Sequence, residues 1–197
     1  MFLVLNEMKR DIFIFFLLFS LVISSTARAQ EMPLPVETQL NVLLKTLTFD
    51  RNLKERQGER LTIGIVYHGL FNKSLQAKDE LIEAFKTVRI EEIFEHTLHI
   101  VTVDLHLIGL EEAVASQDVD ILYITPLDSS QIRKISKLSR SMGVITLSGV
   151  PQYSEQGIAV TVGKKGEAAQ IIINLDAARA AGANFSSQLL KMAKIVD

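Results

Sequence analysis

The chain has 197 residues, 48% of them hydrophobic and 22% charged, with a formal net charge of −2 and no cysteine. That composition suits one ordinary globular domain plus a further piece at one end. A near-neutral charge, with no Lys/Arg run longer than two, argues against a nucleic-acid partner, and the lack of cysteine excludes thiolate nucleophiles, Cys-ligated metals and disulfides.

The further piece is N-terminal. Lys9-Arg10 precedes an apolar run from Ile12 to Ile23, broken only by Ser20, and Ala27-Arg28-Ala29 stands before Gln30. A basic start, an apolar centre of about 7–15 residues and an A-x-A site compose a secretory signal peptide, whereas a membrane span needs roughly 20 apolar residues. Residues 1–29 therefore read as a cleaved leader and 30–197 as one exported domain, with Met8 an alternative start to Met1. Without the leader the net charge is about −3. A chain of this size can bury a core that holds without disulfides.

Met32-Pro33-Leu34-Pro35 is an extended lead-in, because proline removes a donor and disfavours helix in its predecessor. Val36, Leu40, Leu43, Leu44 and Leu47 then recur at three- and four-residue steps, predicting a helix that ends near Phe49. Asp50 to Arg60 is charged and reads as a loop. Leu61 to Tyr67 is a strand apolar on both faces, Ser74 to Val88 a helix, Glu91 to Glu95 an acidic connection, and Leu98 to Val103 a second strand. A short helix around Leu110–Ala115 and a third strand, Val119–Ile124, follow. Ser129 or Ser130 is expected to cap the next helix, which carries Ile132, Ile135 and Leu138 and stops at Gly143. Val144–Leu147 is the fourth strand.

Strand and helix alternate to this point, which predicts a parallel sheet with helices on both faces and right-handed crossovers. The pattern then changes. Ile158–Val162 and Ala169–Ile173 flank Gly163-Lys164-Lys165-Gly166, the expected turn of an antiparallel hairpin. Leu175–Ala181 is a short helix stopped by Gly182, and Asn184 or Ser186 caps a last helix with Leu189, Leu190 and Ala193. The expected class is α/β, three-layer, with a mostly parallel sheet, a C-terminal antiparallel hairpin and two closing helices.

Little in this pattern carries chemistry. The histidines are His68, His96, His99 and His106; none has Asp or Glu at a recognised metal spacing, and they read as surface or strand-end residues, with no metal or cofactor implied. Ser148-Gly149 follows a strand as a nucleophile elbow does, but Thr146 and Val150 stand where that motif needs glycine. No catalytic set emerges. No Gly-rich phosphate loop is present either. Thr125, Ser148 and Gly149 sit at neighbouring strand ends, where open α/β sheets bind ligands, and are the candidate ligand- or partner-binding residues. Asn174 and Ser186 read as helix caps, and Gln188 as a residue that bonds back to free backbone donors. Asn184-Phe185-Ser186 matches a glycosylation sequon, relevant only to a eukaryotic secretory route.

The residues from Gly157 onward resemble a known family. Ile158-Ala159-Val160, Ile171-Ile172-Ile173-Asn174-Leu175, Ala177-Ala178, Ala181-Gly182 and Ser186-Ser187-Gln188-Leu189-Leu190 resemble the C-terminal signature of the YfiR-like periplasmic proteins. The leader, the βα alternation and Thr125-Pro126 extend the likeness over roughly Val36 to Val196. The resemblance implies a non-enzymatic periplasmic regulator, a homodimer in the best-known member, that binds the periplasmic sensor region of an inner-membrane diguanylate cyclase and represses it. Gly157, Asn174, Ser186, Ser187 and Gln188 are then structural motif positions. Two departures stand out. Redox control through disulfides cannot operate without cysteine, and the aromatic-rich start of the first helix in relatives is Leu40-Asn41-Val42-Leu43-Leu44 here. The alternative expectation is a small-solute-binding module built from one lobe of a periplasmic binding protein.

Overall fold

Strands apolar on both faces must be covered on both sides, and the computed structural model shows how this is done over the residues it describes, 31–56, 60–88 and 97–197. The leader, Gly58, the Glu91–Glu95 connection and His96 lie outside the described residues. Helix α1 (Val36–Leu47) buries Leu40, Leu43, Leu44 and Leu47 along one stripe. The stretch expected as a loop contains a short helix, α2 (Arg51–Arg56). Its cause is tertiary. Asp50 is fully buried and its Oδ1 accepts from Asn52 N at 3.1 Å and from Asn184 N at 2.7 Å, while the Asn52 amide donates to Gly182 O at 2.8 Å.

Next come β1 (Arg60–Tyr67), α3 (Asn72–Thr87), β2 (Thr97–Asp104), α4 (Leu110–Gln117), β3 (Ile121–Ile124), α5 (Ser129–Met142) and β4 (Ile145–Ser148). A 3₁₀ turn, Pro151–Gln156, leads to β5 (Val160–Lys165), β6 (Ala168–Asn174), α6 (Leu175–Ala180), α7 (Ser187–Met192) and β7 (Lys194–Val196). The described strands form one seven-stranded sheet in the order β2-β1-β3-β4-β5-β6-β7. Strands β1 to β5 are mutually parallel, β5 and β6 antiparallel, and β6 and β7 parallel. The α/β, mostly parallel class with its C-terminal hairpin is therefore what the chain adopts.

One face of the sheet packs Ile63, Ile65, Ile121, Tyr123 and Leu147 against α1 and α3, and Ala177, Ala178 and Leu189 of α6 and α7 join that core. On the other face Val66, Val103, Leu122 and Ile124 meet α4, α5 and the 3₁₀ turn through Leu110, Ile132, Ile135 and Tyr153.

Three local expectations are corrected. The cap of α5 is Asp128, not Ser129 or Ser130: its Oδ1 accepts from Ser130 N at 2.9 Å and Gln131 N at 3.0 Å. A carboxylate there also complements the helix dipole, which a hydroxyl does less well. The hairpin turn is Gly166-Glu167, because the ladder continues to Lys165↔Ala168; Gly166 takes the positive φ (60°) that a two-residue turn requires. The last helix ends at Met192, and the residues after it pair with β6 as the edge strand β7. Gly143 ends α5 in the left-handed conformation (φ 68°), as its position predicts.

Candidate functional site

The strand order reverses between β1 and β3, since β1 is followed in space by β2 on one side and by β3 on the other. Open α/β sheets bind ligands beyond the carboxyl ends of strands at such a point. Here those ends are His68-Gly69 after β1 and Thr125-Pro126 after β3. The crevice between them is closed by the protein's own hydroxyls. Thr125 is fully buried, its Oγ1 donates to Val66 O at 2.9 Å and lies 2.6 Å from Ser74 Oγ, and Ser74 Oγ accepts from His68 N at 3.0 Å.

Ser148 is likewise buried. Its Oγ donates to Ile124 O at 2.8 Å and accepts from Val150 N at 3.2 Å, so the hydroxyl ties the end of β4 to the end of β3. Gly149 is a close approach: a Cβ there would lie 1.5 Å from Gln39 Oε1 and 3.1 Å from Tyr123 OH. Gln39 of α1 occupies that space, accepting from Tyr123 OH at 2.9 Å and donating to Leu34 O. Burial pushes the Tyr123 phenol far up, partly offset by the Gly149 backbone N–H, so the hydroxyl stays protonated and available to donate. Thr125, Ser148 and Gly149 thus lie along neighbouring strand ends with their polar groups engaged within the fold.

The family-motif positions are placed as structural joints. Asn174 caps α6 through Ala177 N at 2.7 Å and reaches Ser154 O through its amide at 2.9 Å. Ser186 caps α7 through Leu189 N at 3.4 Å. Ser187 and Gln188 are exposed in the first turn of α7. Gly157 holds φ +90° at the end of the 3₁₀ turn.

What the strand ends present outward lies on two adjacent loops. Gly69 N and His106 N both donate to Asp104 Oδ1 at 2.9 Å, and Leu105 N donates to Tyr67 O at 2.9 Å, lacing the loop after β1 to the loop after β2. The His68 and His106 rings sit 5.7 Å apart across this junction. Burial opposes the charge on Asp104, but the N–H groups of His106 and Gly69 outweigh it and hold its carboxyl below the usual range. On this laced platform stand Leu70 and Phe71 from the first loop and Leu107 from the second, and Leu70 and Leu107 are 71% and 79% exposed. A single exposed leucine is ordinary, whereas several large apolar side chains exposed on adjoining loops are a candidate interaction surface.

Sequence reasoning missed these three residues. Leu70-Phe71 directly after His68-Gly69, and Leu107-Ile108 directly before Gly109, are the signal: apolar pairs inside turns, where no helix or strand period directs them inward. Among the described residues, no group of three or more His, Cys, Asp or Glu is placed to hold a metal ion. No described helix is long and apolar enough to cross a membrane.

With this geometry established, the chain can be set beside known proteins. No curated protein sequence matches it. Its fold is similar to a conserved domain protein from Vibrio cholerae O1 biovar El Tor, at 15% identity and TM-score 0.57, covering 83% of this chain and 60% of that one. It is similar to a Streptococcus pneumoniae domain solved with L-Trp, described as an ABC domain, at 15% identity and TM-score 0.56, covering 82% and 62%. A ligand-free, open substrate-binding protein with adhesive properties from Clostridium difficile gives 19% identity and TM-score 0.53, covering 83% and 60%. The chain spans about three fifths of the length of these structures, and the likeness is one of fold. A family model described as YfiR/HmsC-like matches residues 40–194, and the chain belongs to that family.

Proposed function

We propose that this protein is an exported, non-enzymatic regulator that controls a membrane-bound signalling protein, a diguanylate cyclase or a sensor kinase, by binding its periplasmic region. One observation carries the reading: Leu70, Phe71 and Leu107 stand exposed on two loops that Asp104 and the backbone lace into one platform. Interfaces draw their affinity from apolar anchors held in place before contact, because a preformed surface loses less entropy on binding. The YfiR/HmsC-like family supports periplasmic regulation as the setting, and the leader at residues 1–29 supplies the route. Engagement of Thr125 and Ser148 in the fold's own hydrogen bonds turns the proposed contact outward, from the strand ends themselves to the loops above them. The test is paired. Membranes are probed with the tagged protein for a transmembrane cyclase or kinase, and cyclic di-GMP is measured after gene deletion. Recovery of such a protein with a changed second-messenger level supports the proposal; recovery of none, with an unchanged level, refutes it.

A second reading is a single-lobe module for a small solute. Its support is the fold shared with a domain solved with L-Trp and with a substrate-binding protein. Those structures are longer, and two lobes normally close around a solute. Thermal-shift screening separates the readings, since a solute that binds the folded state raises its melting temperature.

A further inference from the structure

Helix α5 carries Arg133, Lys134, Lys137 and Arg140 and contains no Asp or Glu. Positions 133, 137 and 140 follow one another at four- and three-residue steps and so share a face. That face looks onto the 3₁₀ turn, and between the two lies a groove of about 600 Å³ lined by Arg133, Ser136, Lys137, Arg140, Ser141 and Gln156. Among the described residues, no ion pair engages any of the three cations. Glu155, on the same turn, is exposed and pairs with none of them.

Two features show that the groove is built into the fold. Gln156 Oε1 is buried there without a hydrogen-bond partner, the one such side-chain atom among the described residues. A buried acceptor without a donor costs free energy; because Oε1 is shielded from solvent, the Gln156 amide must turn toward the groove before a ligand donor can remove that cost. Gly157 keeps the space beside Arg140 clear: a Cβ at this position would come 2.2 Å from Ser136 Oγ and 2.7 Å from Arg140 Nη2, and Ser136 Oγ donates to Gly157 O at 3.0 Å. The guanidinium therefore lies against bare backbone, in space that any side chain at 157 would take. The groove opens broadly to solvent, so a ligand would lie partly exposed along it.

We propose that this groove binds a phosphorylated polyol, its phosphate held by Arg133, Lys137 and Arg140 and a hydroxyl donating to Gln156 Oε1 once the amide has turned toward it. Arg and Lys give charge-assisted bonds to phosphate oxygens, and the polyol supplies the donor that Gln156 lacks. The same chemistry occurs in a free phosphate ester and in the headgroup of an anionic phospholipid.

The experiment uses the isotopically labelled protein at fixed ionic strength and two probes, glycerol 3-phosphate and vesicles of phosphatidylglycerol in phosphatidylcholine. Glycerol 3-phosphate is expected to shift the amide resonances of 133–141 and 156–157, while glycerol alone leaves them unmoved. The double variant Lys137→Gln/Arg140→Gln should weaken binding at least tenfold, and Gln156→Glu should weaken it by repelling the phosphate. Lys134→Gln, on the same helix but off the groove, should leave binding unchanged and guards against bulk electrostatics. If only the vesicles bind, and the double variant releases them, the ligand is a headgroup; if only glycerol 3-phosphate binds, it is a free ester. Binding of neither probe overturns the proposal, as does a loss with Lys134→Gln equal to that of the double variant.

Discussion

Gly149→Ala isolates the most crowded contact at the strand ends. The added Cβ would come 1.5 Å from Gln39 Oε1, so the Gln39 side chain must leave its place. A glutamine tip moves readily, and the steric term alone would be small. The cost lies in what the tip holds. Tyr123 OH is fully buried and donates to Gln39 Oε1, and Gln39 donates in turn to Leu34 O. Leaving a buried donor unpaired costs about 1–3 kcal/mol. Loss of the second bond adds about 1 kcal/mol, for a total of roughly 2–4 kcal/mol. At about 2–4 °C per kcal/mol for a chain of this size, the melting temperature should fall by roughly 4–16 °C. The assay is urea and thermal denaturation of four proteins: wild type, Gly149→Ala, Gln39→Ala and the double variant. With Gln39 already removed, the added methyl meets chiefly Tyr123 OH, at 3.1 Å, so Gly149→Ala should cost much less in that background, giving a coupling of about 2 kcal/mol. Equal cost in both backgrounds, or no cost in the wild type, would refute the reasoning.

Three further outcomes follow from the same geometry. Asn174→Ala should cost about 2–3 kcal/mol, more than a surface cap, because Asn174 both caps α6 and reaches Ser154 O in a buried setting; urea titration checks this, and Asn174→Asp, which keeps only the cap, should fall between. Asp128→Ala should cost about 1 kcal/mol at neutral pH. The Ser130 hydroxyl and the Gln131 N–H hold the Asp128 carboxyl below its ordinary value of 3.8. Its contribution is therefore full above that value and is lost as pH falls through the depressed pKa, so the gap to wild type should close in acid. Phe71→Ser with Leu107→Glu should leave the melting temperature within about 4 °C of wild type, surface changes being worth about 0.5 kcal/mol or less each, while abolishing co-purification with the signalling partner; a variant that still binds places the contact elsewhere.

How much of this was legible depended on how local its cause was. The core of β1 could be read because Leu61, Ile63, Ile65 and Val66 are apolar on both faces of a strand, and the structure buries all four completely. Gly143 and Asn174 could be read because a helix end needs a left-handed residue or a capping acceptor at one position. The cap of α5 was shared among three adjacent side chains, Asp128, Ser129 and Ser130, and only the backbone decides which is extended. Helix α2 was hidden because Asp50 and Asn52 find their partners at 184 and 182, more than a hundred residues away. Strand β7 is three residues long, too short for any period, and exists only as an addition to β6. The docking platform was hidden for the opposite reason: Leu70, Phe71 and Leu107 look like core residues by type, and only their place on turns over the carboxyl ends of β1 and β2 exposes them. Nothing in the sequence indicated that Thr125 and Ser148 would spend their hydroxyls on Val66 O and Ile124 O.

The central claim, that Leu70, Phe71 and Leu107 form the contact with a membrane signalling protein, is tested most directly by photocrosslinking in intact cells from a benzophenone side chain at position 107. The account predicts one dominant adduct, with an inner-membrane protein whose periplasmic sensor region precedes a cyclase or kinase output, and loss of that adduct when the probe moves to the exposed position 134 on α5. An adduct of equal strength from both positions, or none from position 107 while gene deletion still changes the second-messenger level, would contradict it.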